Sequence, residues 1–158
     1  MADELSISID TRALDAALSK LPEKLQKRVL KNALQAGGDV ILEEMKALAP
    51  ERTDEPTPDS TALPPGILKA DLQTQVTVGT TTGANVKIGP GEIAGHVARW
   101  QNNGYNLTTH GKKRGRKVIK AIPGKHFIEG AMDAAGQKAL DAMIGSIAAA
   151  LTENSGED

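Results

Sequence analysis

The chain has 158 residues, with 19 Lys and Arg against 20 Asp and Glu, no cysteine, and a single Trp, Tyr and Phe. The length is that of one domain, residues 1–158, and the lack of cysteine excludes disulfides, thiolate metal sites and cysteine nucleophiles. The near-neutral balance hides a segregation: Ile93–Ile128 holds eight Lys and Arg and no acid, leaving eleven basic against twenty acidic residues for the rest, and local fields of this kind decide who docks where.

The N-terminal MADELSISID has neither the basic nor the apolar region of a signal peptide. No apolar run approaches the roughly 20 residues of a membrane-spanning helix, so no membrane partner is expected. Leu5–Ile9 alternates with period two and predicts a short strand, and Arg12–Lys20 a short helix behind an Asp10 or Thr11 cap. From Glu23 to about Leu48, Leu25, Val29, Ala33, Gly37, Val40 or Ile41, Met45 and Leu48 recur at steps of three and four, which predicts a long amphipathic helix. Gly37-Gly38 in its middle costs about 1 kcal/mol of propensity per glycine. Close backbone packing is the favoured reason and a kink the alternative.

Ala49-Pro50 ends that helix, and residues 51–65 form an acidic, Pro-rich connection expected to order on a neighbour. Ile67–Gln73 is a helical turn or the start of a strand. Gln75–Gly79 and Asn85–Gly89 alternate around Thr80–Ala84 and predict a hairpin. Ile93–Gln101 has a helical pattern with Ile93, Val97 and Trp100 on one side, ended by Asn102-Asn103-Gly104. Residues 105–117 read as a basic loop or projecting hairpin, and Val118–Ile122 as a strand. A second long helix runs from about Lys125 to Leu151, with Phe127, Ala131, Ala135, Ala139 or Leu140, Met143, Ile147 and Leu151 inward, and residues 152–158 form a frayed acidic tail. The fold class is α+β: a small, mostly antiparallel sheet of about four strands against two long helices, with long loops. Its aliphatic core is thin, and thin cores draw stability from subunit contacts.

No constellation carries chemistry. Gly89–Ala94 satisfies G-x-G-x-x-A, but the strand before it belongs to a hairpin and the region about twenty residues on is basic, where a ribose-binding acid would be needed. His96, His110 and His126 share no metal-ligand spacing, and no nucleophile and base are paired. Catalytic, metal and cofactor sites are therefore expected to be absent. Lys112, Lys113, Arg114, Arg116 and Lys117, with Lys120, form a cluster that would meet phosphates without reading bases or dock on an acidic protein surface; a solvated loop is the bland alternative. Without interleaved aromatics the stacking of a single-strand binder is missing, which favours protein docking over nucleic acid.

Glu44–Thr53, EMKALAPERT, resembles the K-x-x-A-P-x-R-T-G signature of the minor tail-component or neck (tail-completion) proteins of long-tailed bacteriophages. Val97–Gly104, VARWQNNG, resembles that family's Y-A-x-x-[VQ]-E-[FY]-G, and Ile122–Ala131, IPGKHFIEGA, its x-P-x-x-F-[LI]-x-x-A. Asp54 departs from the usual Gly, and Asn replaces the usual Glu before Gly104. The resemblance marks Pro50, Arg52, Thr53, Trp100, Gly104, Pro123 and Phe127 as structural positions. It implies a non-enzymatic virion protein of the head–tail junction, assembled in the host bacterial cytoplasm. The implied form is a homo-oligomeric ring, sixfold, docking on neighbouring neck, tail-terminator or tail-tube proteins, with genomic DNA passing through unread. A non-sequence-specific nucleic-acid-binding protein is the alternative.

Overall fold

The computed structural model describes residues 22–51, 63–79, 83–108 and 118–154. The strand and helix expected in residues 5–20, most of the Pro-rich connection including Arg52 and Thr53, and the cluster Lys112–Lys117 lie outside the described residues.

Helix α1, Glu23–Leu48, begins behind Pro22, whose carbonyl accepts the amides of Leu25 and Gln26. Lys27 donates to Glu23 one turn earlier at 2.6 Å, and that hydrogen bond and charge hold the exposed Glu23 carboxyl below its ordinary range. The helix ends where Ala49 turns to extended backbone, as a residue before proline must. Its buried face is Val29, Ala33, Gly37, Gly38, Ile41 and Met45, while Leu48 is exposed. Pro65-Gly66 turns the chain with Gly66 at φ 78°, leading to the short helix α2, Ile67–Asp71, and directly into strand β1, Leu72–Val78.

Strand β1 pairs antiparallel with β2, Ala84–Pro90, in the register Val76 opposite Val86 and Thr74 opposite Ile88. Alternation puts Leu72, Thr74, Val76, Val86 and Ile88 toward α1 and leaves Gln73, Gln75, Asn85 and Lys87 in solvent. Helix α3, Gly95–Asn103, follows, then β3, Gly104–Thr108, which pairs antiparallel with β4, Val118–Pro123. The long helix α4, Phe127–Asn154, closes the described chain. The α+β class and four strands stand as expected, divided between two two-stranded sheets. Of residues 105–117, 105–108 belong to β3, which pairs with the expected strand after them, β4; 109–117 are outside the described residues. The tail expectation is corrected at its start, because Thr152–Asn154 continue α4.

Helix α4 packs along α1 through a small-residue stripe, Ala131, Ala135 and Ala139, with Phe127 at one end and Ile147 at the other. Met45 is the largest fully buried side chain and sits in the cluster with Phe127, Ala98, Leu68 and Leu72. A second cluster, Val29, Ala33 and Ile147, is flanked by Leu25, Met143 and Leu151.

The two central glycines of α1 serve close packing in an unbroken helix. A Cβ on Gly37 would fall 2.6 Å from Met143 Cγ and 3.0 Å from the carbonyl oxygen of Ala139, both on α4. One on Gly38 would fall 2.6 Å from Thr74 Cγ2 and 3.0 Å from Val86 Cγ2, both on the β1–β2 sheet. Each replacement by Ala gains about 1 kcal/mol of helix propensity and meets an overpacking cost of about 1–3 kcal/mol. Met143 is unbranched and can swing aside, whereas Thr74 and Val86 are stiff at χ1. The Ala139 carbonyl is backbone and cannot move aside as the end of Met143 can, so urea unfolding should show both Gly37→Ala and Gly38→Ala destabilised, Gly38→Ala the more; a neutral or stabilising effect of either would contradict the packing.

Candidate docking surface

Helix α3 buries a stripe of small residues, Ala94, Ala98 and Asn102, at i, i+4 and i+8. The side bearing Ile93 and Trp100, 58% and 51% exposed, faces out. Helical periodicity identified that side but not which way it turns; the small stripe lets α3 lie close to the core. His96 meets Trp100 edge-on at 5.3 Å between ring centroids, and the Tyr105 ring lies tilted 6.1 Å from that of Trp100. Arg99 is exposed beside them. Aromatic and arginine anchors of this kind carry most of the energy of protein interfaces.

Two polar contacts set the patch. Asp71, at the end of α2, accepts the Ala94 amide on Oδ2 at 2.7 Å and the Gly91 amide on its backbone carbonyl at 2.8 Å, fixing the turn into α3. Both engaged amides belong to the G-x-G-x-x-A stretch, and a carboxylate at their centre repels phosphate. Sequence reasoning missed Asp71, which no local pattern marks.

At the far end, α3 and α4 cap each other. The carbonyls of Gln101 and Asn102, orphaned at a helix C-terminus, accept the amides of Lys125 at 2.8 Å and His126 at 3.1 Å. In return Asn102 Oδ1 accepts the Ile128 amide at 3.0 Å in the first turn of α4, and Asn102 Nδ2 donates to Glu129 Oε1 at 3.0 Å and to Asn103 Oδ1 at 2.9 Å. Asn102 is the only buried polar residue among those described, 4% exposed. It is no turn residue but the pin of the corner. Gly104, at φ 82°, and Gly124 let the chains cross, because a Cβ on either would strike the opposing backbone.

From this corner β3 and β4 run out as an arm. Tyr105, Val118, Ile119 and Lys120 are exposed, with Ile119 at 68%, and the arm's main contact with the rest of the chain is through α3. The ladder slips here, with Leu107 opposite Lys120 and Thr108 opposite Val118, so Ile119 is the extra residue of a bulge and the arm carries two adjacent exposed apolar side chains. In sequence the arm joins Lys112–Lys117. Among the other marked positions, Phe127 is buried at 2%, Pro50 is half-buried after α1, and Pro123 pairs with Gly104 at the arm's root. The structure thus brings Trp100, Gly104, Pro123 and Phe127 to one corner, with Lys120 on the arm and Pro50 elsewhere.

A groove of about 830 Å³ opens on the body between α4 and β2, floored by Ile41 and Met45 and walled by Val86, Ile88, Met132 and Met143, with Asn85, Glu129, Asp133 and Gln137 at its polar margin. Among the described residues no His, Asp and Glu cluster is spaced to hold a metal, and no helix is long and apolar enough to cross a membrane.

If Asn102 pins the corner, Asn102→Leu leaves the Ile128 amide and Glu129 unpartnered and should cost about 1–3 kcal/mol in urea unfolding. Asn102→Asp should also destabilise, by facing a carboxylate to Glu129, and adding Glu129→Gln should restore part of that loss. An unchanged midpoint for Asn102→Leu would dismiss the pin.

A family model described as "Bacteriophage HK97-gp10, putative tail-component" matches residues 12–104. No curated protein and no solved structure matches the chain. The match spans α1, the β1–β2 sheet and all of α3 to the glycine at the root of the arm; the chain belongs to this HK97-gp10-like family of phage tail components.

Proposed function

We propose that the protein is a ring-forming structural subunit of the head–tail junction, folded as one domain over residues 1–158. Six copies surround a channel through which the genome passes, between neighbouring neck proteins and the tail terminator or tail tube. As a tail component it works among other tail proteins in the virion; the ring, the junction and the channel are the proposal. The observation that carries it is the β3–β4 arm, whose adjacent Val118 and Ile119 are 50% and 68% exposed. A two-stranded ribbon is marginal alone, so such an arm is a contact element awaiting a neighbour. The Ile93, Trp100 and Tyr105 patch beside it supplies anchors, and the segregation of basic and acidic residues suits a repeated subunit whose unlike surfaces pair.

Lys112, Lys113, Arg114, Arg116, Lys117 and Lys120 are assigned to this contact, meeting an acidic protein surface or channel phosphates. Pro50, Arg52, Thr53, Trp100, Gly104, Pro123 and Phe127 are assigned structural roles. No residue is assigned a catalytic one. Solvent and salt screen the mutual repulsion of exposed cations to little in a free subunit, whereas a ring repeats the cluster and sums modest contacts. Replacing the first five of these cations by Ser should leave the melting temperature within about 2 °C of wild type while blocking head–tail joining and lowering infectivity. Normal particle yield and infectivity would remove the cluster from the interface. Gel shifts on random duplex should show at most weak, salt-sensitive binding; tight, sequence-selective binding at physiological salt would turn the reading toward a DNA-binding protein.

A further inference from the structure

We propose that neighbouring copies associate by laying the β3–β4 arm of one subunit into the groove between α4 and β2 of the next. The inference rests on the ring reading and names its contact.

The occupant follows from the two surfaces. The groove floor and walls are aliphatic and methionine, and methionine repacks around an incoming shape. Its volume is about 830 Å³, and it is open along β2. Its charged lining residues are Glu129 and Asp133, with no Lys or Arg. The occupant must therefore be apolar with basic flanks. The arm offers Val118 and Ile119, 50% and 68% exposed, followed by exposed Lys120 and, in sequence, preceded by five cations with no acid anywhere in Ile93–Ile128. Each surface supplies what the other lacks.

The backbone adds a second match. Neither edge strand of the β1–β2 sheet pairs further among the described residues, so β2 has unused donors and acceptors where it lines the groove, and an incoming strand can take them by edge addition. The arm and the groove are different patches of one chain. Their pairing is heterologous, which propagates around an axis and closes into a ring when the rotation permits.

The chain has no cysteine, so Gln137→Cys places one benzophenone maleimide at the exposed margin of the groove. Labelled protein is assembled with unmodified ¹⁵N protein and irradiated, and adducts are mapped by mass spectrometry while native mass spectrometry of the same sample counts copies. The expected result is a closed oligomer whose adducts fall on residues 104–123 of a ¹⁵N copy. Ile119→Asp should raise the concentration for half-assembly about tenfold or more, as loss of an interface anchor does, with unchanged melting of the monomer. A closed oligomer with adducts on residues 1–21 of the same chain, on another virion protein, or elsewhere on the ¹⁵N copy would overturn the arm-in-groove contact and leave the ring standing. Failure to oligomerise, alone or in the particle, would remove both.

Discussion

The architecture depends on how closely α1 can be approached at Gly37 and Gly38. Helix α4 comes in on the Gly37 side and the β1–β2 sheet on the Gly38 side, each to a distance that a methyl group would obstruct. Adjacent helix positions point about 100° apart, so the two partners meet α1 on different flanks. They do not close on each other, and the space left between α4 and β2 is the groove, floored by α1 residues Ile41 and Met45. A packing device in the core thereby creates a groove on the surface. The alanine stripe of α4 serves the same end: helices that meet through Ala131, Ala135 and Ala139 bury little area per residue, and compensate by proximity and by the long overlap of α1 with α4.

Backbone accounting settles the other end of the molecule. A helix leaves four carbonyls without partners at its C-terminus and four amides at its N-terminus. The α3 terminus and the α4 terminus meet and satisfy one another through Gln101, Asn102, Lys125, His126 and Ile128, with Asn102 adding a side chain to both sides of the exchange. The crossing is possible because Gly104 and Gly124 have no Cβ. It fixes the direction in which β3 leaves α3, away from the core. The arm is thus held firmly at its root, and Tyr105, Asn106 and Val118–Ala121 along it are exposed.

Much of this was legible in the sequence, and the parts that were not share a reason. The long helices, the first hairpin and the inward residues of α4 follow from periodicity, since one face of each is buried and the pattern records it. Gly37-Gly38 signalled close packing, though not that two different partners were involved. Helix α3 is where periodicity does not decide: the larger Ile93 and Trp100 are exposed, and the core takes the smaller stripe of Ala94 and Ala98, which join the cluster of Phe127 and Leu68. Asn102 looked like a helix stop because Asn tolerates turn backbone. Its role lies in a contact twenty-six residues away, which no local window contains. Asp71 was silent for the same reason, reaching Ala94 across a hairpin. The division of four strands into two sheets was also hidden, since strand periodicity says nothing about which ladder a strand joins.

The exposed strands of the arm pose a hazard that its charges address. Unpaired edges carrying Val118 and Ile119 could pair with any similar edge and aggregate, and natural sheets blunt such edges with lysine. Exposed Lys120 supplies that protection on β4. In the proposed assembly it acts with the five cations of the connecting sequence, which would repel a second arm and attract a body that carries the chain's acid. Like charge then disfavours arm against arm while unlike charge favours arm against body. Screening over about 8 Å at physiological salt confines both effects to near contact, so the charges select the partner and the apolar residues then hold it. In the proposed ring, solubility of the free subunit and specificity of its assembly come from one arrangement of charge, and neither requires a stable oligomer before the neighbouring proteins are present.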